Sequence, residues 1–391
     1  MTDPIVSDEI RAMENKSDSV DYQPGILERW GIRVLSDLSQ RDKTSLGKWT
    51  KEEFGSSSRK IIAWTVFWAF QTGLWTTLFI LLVEKLFPES PELWSSVFFE
   101  KWFWTGAALL VGTFVEFYLL YKLGLSSVYK LTRTAGFDLK EDPDLITGIS
   151  NLLSRLALEI PDPDLKLLGI DPYRLTNKRS LFITTLLYKA KVFLSNVVAK
   201  IVIRKLLARN SFRVYADFVA APVTAFWDAI VLYIILKELR TRLLTRAISE
   251  NLVGEILEIQ DSLGRDAKIA CMTAVGNSVV FTQRFHPNLE FILIKLHKAF
   301  RIENYHFRLD EWESLELLLP ALNDSEKELC LKILSVTCCF DGKISSFEKK
   351  HLPLVFGQRS EDRLRWMERL ASAIRNGDLD EAKELSSLKI R

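Results

Sequence analysis

The chain has 391 residues, 48% of them hydrophobic and 26% charged, with a formal net charge of +2. That length accommodates two or three domains, and the near-balance of charge names no partner. A high apolar fraction beside an ordinary charged fraction means apolar blocks set in soluble sequence, which excludes a disordered chain, a secreted disulfide scaffold and a purely soluble enzyme.

Residues 1–58 read as a polar N-terminal cytosolic segment. Their acids at Asp8, Glu9 and Glu14 do not fit the basic-then-apolar pattern of a cleavable signal. Within them, Gly25 to Leu38 repeats at helical period. Residues 59–123 form a transmembrane hairpin. Ile61 to Val83 is 23 residues without a charge, enough at 1.5 Å per residue to cross a hydrocarbon core of about 30 Å. Trp102 to Tyr121 holds one acid, Glu116, and supplies the second span. Six of the eleven tryptophans lie in this hairpin, several near span ends, where an amphipathic ring favours the headgroup level. Ala108 and Gly112 form a small-x-x-x-small spacing that lets helices approach closely.

Lys51, Arg59 and Lys60 precede the first span and Lys122, Lys130 and Arg133 follow the second, whereas the connection between them carries Glu84, Glu89, Glu92 and Glu100 against two lysines. Both ends of the hairpin are therefore expected in the cytoplasm, with the acidic loop outside. Residues 124–180 follow as a cytosolic helical linker, its Asp-Pro pairs flanking an amphipathic stretch from Leu145 to Ile160.

Residues 181–244 form a second, charged apolar helical hairpin. Its arms, Leu181 to Leu207 and Val214 to Leu236, are long enough to span, yet they contain Lys189, Lys191 and Lys200 on one side and Asp217 and Asp228 on the other. Lys189 to Lys200 and Asp217 to Asp228 are each eleven residues, three turns, so each pair shares a helix face. Antiparallel register then sets Lys189 opposite Asp228 and Lys200 opposite Asp217, two intramembrane ion pairs. They act either as structural bracing or as an ion path. Arg204, Lys205, Arg209 and Arg213 crowd the turn without an acid, and Lys237, Arg240, Arg242 and Arg246 follow the hairpin. Both its mouth and its end thus read as cytoplasmic, with the turn residues contacting lipid headgroups rather than nucleic acid. Embedding from one side, lying at the interface and packing in the cytosol all remain open for this hairpin.

Residues 245–391 read as a soluble bundle of amphipathic helices. Leu329, Ile333, Val336 and Phe340 recur at helical spacing, Asp341-Gly342 breaks the helix, and Ser345 to Glu348 makes a capping box. The stretch LKILSVTCCFDGKISSFEKKHL resembles the motif of TerB-like domains, helical modules named for a tellurite-resistance protein. Its matching positions are Asp341, Gly342, Ile344, Ser345 and Glu348. The resemblance, extended over roughly residues 255 to 390 as helical pattern, implies a bacterial cytosolic module at the membrane, linked to stress response and in some members to metal. Asp341 and Glu348 would be the oxygen ligands of a divalent cation. Against that stands the simpler reading of a turn and a cap, since two carboxylates fall short of the set a hard cation takes.

No nucleophile elbow, phosphate loop, dinucleotide fingerprint or zinc-binding helix motif occurs in the sequence. The four histidines do not recur at metal spacing, and Cys271, Cys330, Cys338 and Cys339 read as reduced core residues. The expectation is an all-α, non-enzymatic, multi-pass protein of a bacterial inner membrane with both termini cytoplasmic. It would need no cofactor. It would hold a TerB-like module against the bilayer as a stress- or envelope-related scaffold or sensor, through a protein partner the sequence does not name, or as a homo-oligomer. The alternative is a small oligomeric channel or transporter working through the Lys/Asp pairs.

Overall fold

The computed structural model describes residues 25–41, 54–87, 94–139, 153, 213–282, 286–302 and 308–388. Among these residues there are eleven α-helices and no strands. The amphipathic stretch expected over Leu145 to Ile160 lies outside them, apart from Leu153.

The short helix α1 (Ile26–Arg41) precedes two long ones, α2 (Phe54–Lys85) and α3 (Ser96–Thr134). Both long helices are of a length and apolarity that could cross a membrane. They pair antiparallel through small and hydroxylated residues. On α3, Ala108, Gly112, Glu116, Leu120 and Gly124 are buried at a strict spacing of four. A side chain at Gly112 would meet the Ile80 side chain at 3.1 Å, so the small-x-x-x-small spacing serves contact within the chain. Four turns along, the hydroxyls of Thr65 and Ser127 bond at 2.7 Å. α1 lies on α3, where Trp30 and Tyr118 are 6.3 Å apart.

α4 (Arg213–Glu258) is one helix of 46 residues, about 69 Å long. Its first half runs antiparallel to α2: Thr77 bonds Thr224 at 2.9 Å, and Gly73 lies against Ala225 and Asp228. Parallel to α3, it starts at the Lys85 end of α2 and passes the Arg59 end. The division drawn from sequence at 244/245 falls inside this helix. Pro222 sits within it and removes one backbone donor, a defect that close neighbouring helices tolerate.

The second half of α4 forms one wall of a bundle made by α5 (Arg265–Thr282), α6 (Pro287–Phe300), α7 (Trp312–Leu318), α8 (Asp324–Cys338), α9 (Ser346–Phe356), α10 (Ser360–Asn376) and α11 (Leu379–Ser386). α5 is its axis, buried from Ala267 to Phe281 except at Lys268. A helix apolar all round requires neighbours on every side, and α6, α7, α8 and α9 supply them. One contiguous core runs from Leu35 and Ile62 through Leu236 to Ile256 of α4 and on to Ala382.

Candidate functional site

The carboxylate of Asp228 lies buried halfway along the α2–α4 contact. It fills the space left by Gly73, where an added side chain would come 2.3 Å from Oδ2 and 2.9 Å from the Ala225 Cα. The Thr77–Thr224 hydroxyl pair sits one turn away. A carboxyl group and two hydroxyls thus share a closely packed stretch of an otherwise apolar helix contact. Lys189 and Lys200, the partners expected from register, lie outside the described residues, as do Lys191, Arg204, Lys205 and Arg209. Asp217 and Arg213 belong to the first turns of α4.

The second expected site is the turn between α8 and α9. Helix α8 ends at Cys338, Gly342 takes the left-handed conformation at φ +71°, and α9 opens with the expected capping box. Ser345 Oγ accepts from the Glu348 amide at 3.2 Å, and Glu348 Oε2 accepts from the Ser345 amide at 2.6 Å. Asp341 Oδ1 accepts from the Lys343 amide at 3.1 Å. Glu348 is 1% exposed, and its Oε1 has no hydrogen-bond partner among the described residues. Burial pushes its carboxyl up to about 7, opposed by the bonds from Ser345 and assisted by the nearby Asp341 charge. No group of three or more His, Cys, Asp or Glu ligands occurs among the described residues. Asp341 and Glu348 supply two of the six to eight oxygens calcium takes, and each already accepts a backbone amide. The geometry is that of a turn and a cap.

This turn connects mechanically to the rest of the chain. Gly342 packs on Arg375, in the last turn of α10. The Arg375 carbonyl accepts from Arg240 Nη2 at 2.7 Å, so α4 caps the C-terminus of α10 with a cation, as the helix dipole favours. Beyond it, a side chain at Gly377, which has φ +81°, would come 3.2 Å from the Arg240 side chain, and one at Gly55, at the start of α2, would come 3.3 Å from the Gly377 carbonyl oxygen. The Asp341-Gly342 turn, α10, α4 and α2 thus meet within one continuous set of contacts.

The basic residues after Leu236, read from sequence as topology signals, also serve in docking. Arg246 lies 3.6 Å over the Phe291 ring and pairs with Glu250, and Asn288 bonds the Arg242 carbonyl and Thr245 hydroxyl at 2.8 Å each. Glu255 holds Ser387 and the Leu388 amide. The four cysteines are buried and free, with Cys271 and Cys330 in sulfur contact at 3.8 Å, and burial raises the Cys338 and Cys339 thiols. His286 is buried and packs between helices. It caps α6 through Nδ1, lies 5.8 Å from the Phe340 ring, and burial lowers it to about 3.

Comparison of the chain with protein-family models, with curated proteins and with solved structures finds no match.

Proposed function

We propose that this protein is a non-enzymatic integral membrane scaffold in which α4 carries the state of a membrane-embedded helix bundle into a cytosolic helical module. The observation behind this reading is the continuity of α4, whose first half packs on α2 and whose second half is a wall of the C-terminal bundle. No linker separates them, and one core serves both.

Membrane embedding draws support from which residues face outward. Trp64, Phe67, Trp68, Trp75, Phe79 and Leu82 of α2 and Leu110, Phe114 and Tyr118 of α3 are exposed, while Ser58, Thr65, Gly73, Thr77 and Gly112 are buried. In water such a patch would be an aggregation hazard; against lipid it is the ordinary arrangement. Lys51, Arg59 and Lys60 favour a cytoplasmic start for α2. The C-terminal bundle docks at that same end, which suits a cytoplasmic location in a bacterial inner membrane. The direction of α4 sets Arg213 at the opposite end, beside Lys85, so this reading gives up the expectation of a cytoplasmic basic turn. Leu181 to Leu207 is long enough to supply a returning span. We take the module to be TerB-like and its output to be a stress- or envelope-related contact with another protein.

The test is hydrogen exchange on the full chain in nanodiscs of two bilayer thicknesses. Exchange over residues 339–348 should change with thickness, and a Gly-Gly insertion between Arg242 and Leu243 should abolish that change. Identical exchange in both bilayers would contradict the relay.

A second reading, a small oligomeric channel or transporter, is favoured by one feature, the Asp228 carboxylate beside the Thr77–Thr224 hydroxyls inside an apolar contact. It requires ion flux in proteoliposomes that Asp228→Asn reduces, whereas the scaffold requires none.

A further inference from the structure

A cavity of about 830 Å³ opens where α2, α4 and the α10–α11 turn meet. Its lining is mixed: Ile62, Ala63 and Val66 of α2 supply apolar surface, and Arg59, Lys237 and Arg240 supply positive charge. Among the described residues none of these three cations has a carboxylate partner. Arg59 Nε donates to the Gly55 carbonyl at 3.0 Å, Lys237 lies 5.9 Å from the Tyr233 ring, and Arg240 Nη2 donates to the Arg375 carbonyl. Arg240 is 7% exposed and its Nε has no hydrogen-bond partner. Asp378 and Asp380 also line the cavity, but Asp378 is engaged as the cap of α11, accepting from the Glu381 amide at 3.2 Å.

Two arginines and a lysine line this space against two aspartates, one of them held as the cap of α11, so positive charge is in excess. Burial, then the neighbouring Arg59 charge, disfavour the charged Arg240. A buried cation with an idle donor, a second arginine and an exposed lysine together match the oxygens of a phosphate group. The apolar surface of α2 lines the same cavity, as an acyl chain would require.

We propose that this cavity binds the phosphate-bearing headgroup of an anionic phospholipid, with Arg240 as the buried contact, Arg59 and Lys237 closing from the rim, and the first acyl carbons against Ile62, Ala63 and Val66. The bound lipid would touch α2, α4 and the α10–α11 turn at once, and so would strengthen the junction of the two bundles. This rests on the membrane placement proposed above, and it adds the lipid class to that reading.

The test is native mass spectrometry of the detergent-solubilised full chain titrated with phosphatidylglycerol, phosphatidylcholine or inorganic phosphate. Because Arg240 also holds α10, the variant is Arg59→Gln/Lys237→Gln, two exposed positions, with its melting temperature checked first. Saturable binding of phosphatidylglycerol over phosphatidylcholine is expected, weakened about thirty-fold by the double variant, on roughly 1 kcal/mol per basic residue near an anionic lipid. Equal binding of both lipids, or no effect of the variant, would overturn the site. Displacement of the lipid by millimolar inorganic phosphate would overturn the assignment to lipid. Membrane residency is read separately, by sedimentation of carbonate-washed membranes. A chain that stays with the membrane yet shows no lipid preference sinks this site alone, and a chain that washes off sinks the placement beneath it.

Discussion

The two ends of α4 obey opposite packing rules. Around its first half, α2 and α3 bury glycine, alanine, serine and threonine and turn tryptophan, phenylalanine and leucine outward. Around its second half the reverse holds. Leu289, Ile333, Phe340, Met367 and Leu370 are buried, and Leu317 and Leu354 are among the few large apolar side chains left exposed. In water the apolar groups must go inside, whereas in lipid they gain nothing by it and close backbone contact decides what is buried. A single helix with both environments along its length is suited to join two solvents.

The contrast can be broken most forcefully at Asp228. If register pairs it with Lys189, Asp228→Asn should cost about 3 to 5 kcal/mol by leaving a buried ammonium unpaired. Lys189→Met added to it should restore part of the loss. Thermal denaturation of the full chain in detergent reads this directly, and absence of recovery would remove the pair.

Next in size is the glycine that the C-terminal bundle needs. A side chain at Gly276 would come 2.2 Å from the Leu309 carbonyl, beside Asn277, whose amide bonds the Leu309 and Glu311 carbonyls at 3.3 Å each. Gly276→Ala should therefore destabilise by about 3 kcal/mol, at the upper end of overpacking costs. The Gly136→Ala exchange, where no atom lies within 4 Å, should cost less despite its positive φ.

Two buried titratable groups sharpen the comparison by pH. The Glu348 carboxyl is held up at about 7, above its usual 4.5, so the folded state keeps a proton that the unfolded state releases. Its contribution is fully present below pH 4.5 and is lost as pH rises through 7. Glu348→Gln, which preserves the capping-box pattern, should raise stability at pH 8 by up to about 3 kcal/mol and change nothing at pH 4. His286 tilts the other way. Held down at about 3, it contributes stability present above 6.5 and lost as pH falls towards 3. On a Glu348→Gln background, acidification to pH 5 should cost about 2 kcal/mol, and His286→Asn, which keeps a capping oxygen, should abolish that loss. Melting curves from pH 4 to 8 on the wild type and these two variants separate the two groups.

What sequence showed and what it hid divide along the range of the interactions. The uncharged run Ile61 to Val83, the helix carrying Leu329, Ile333 and Val336, the Asp341-Gly342 break and the Ser345–Glu348 cap are written in neighbouring residues, and all appear in place. Burial of the four cysteines followed from their setting in apolar helices. Hidden were the contacts between distant segments. Nothing local marks Arg240 as the cap of α10, Gly377 as the neighbour of Gly55, or Gly276 as the seat of Leu309. The change of α4 from apolar to charged near Lys237 looks in sequence like the end of one element, yet the helix continues because its charged half is covered by α6, α10 and α11.

The central claim is that α4 crosses the bilayer and enters the cytosolic bundle without interruption. Cysteine accessibility in intact cells tests it, using single cysteines at Ser90, Ser211 and Ser387 on a background lacking the four native ones. An impermeant reagent should label Ser90 and Ser211 and spare Ser387. Labelling at Ser90 with Ser211 protected would place the start of α4 on the cytoplasmic side and contradict the crossing.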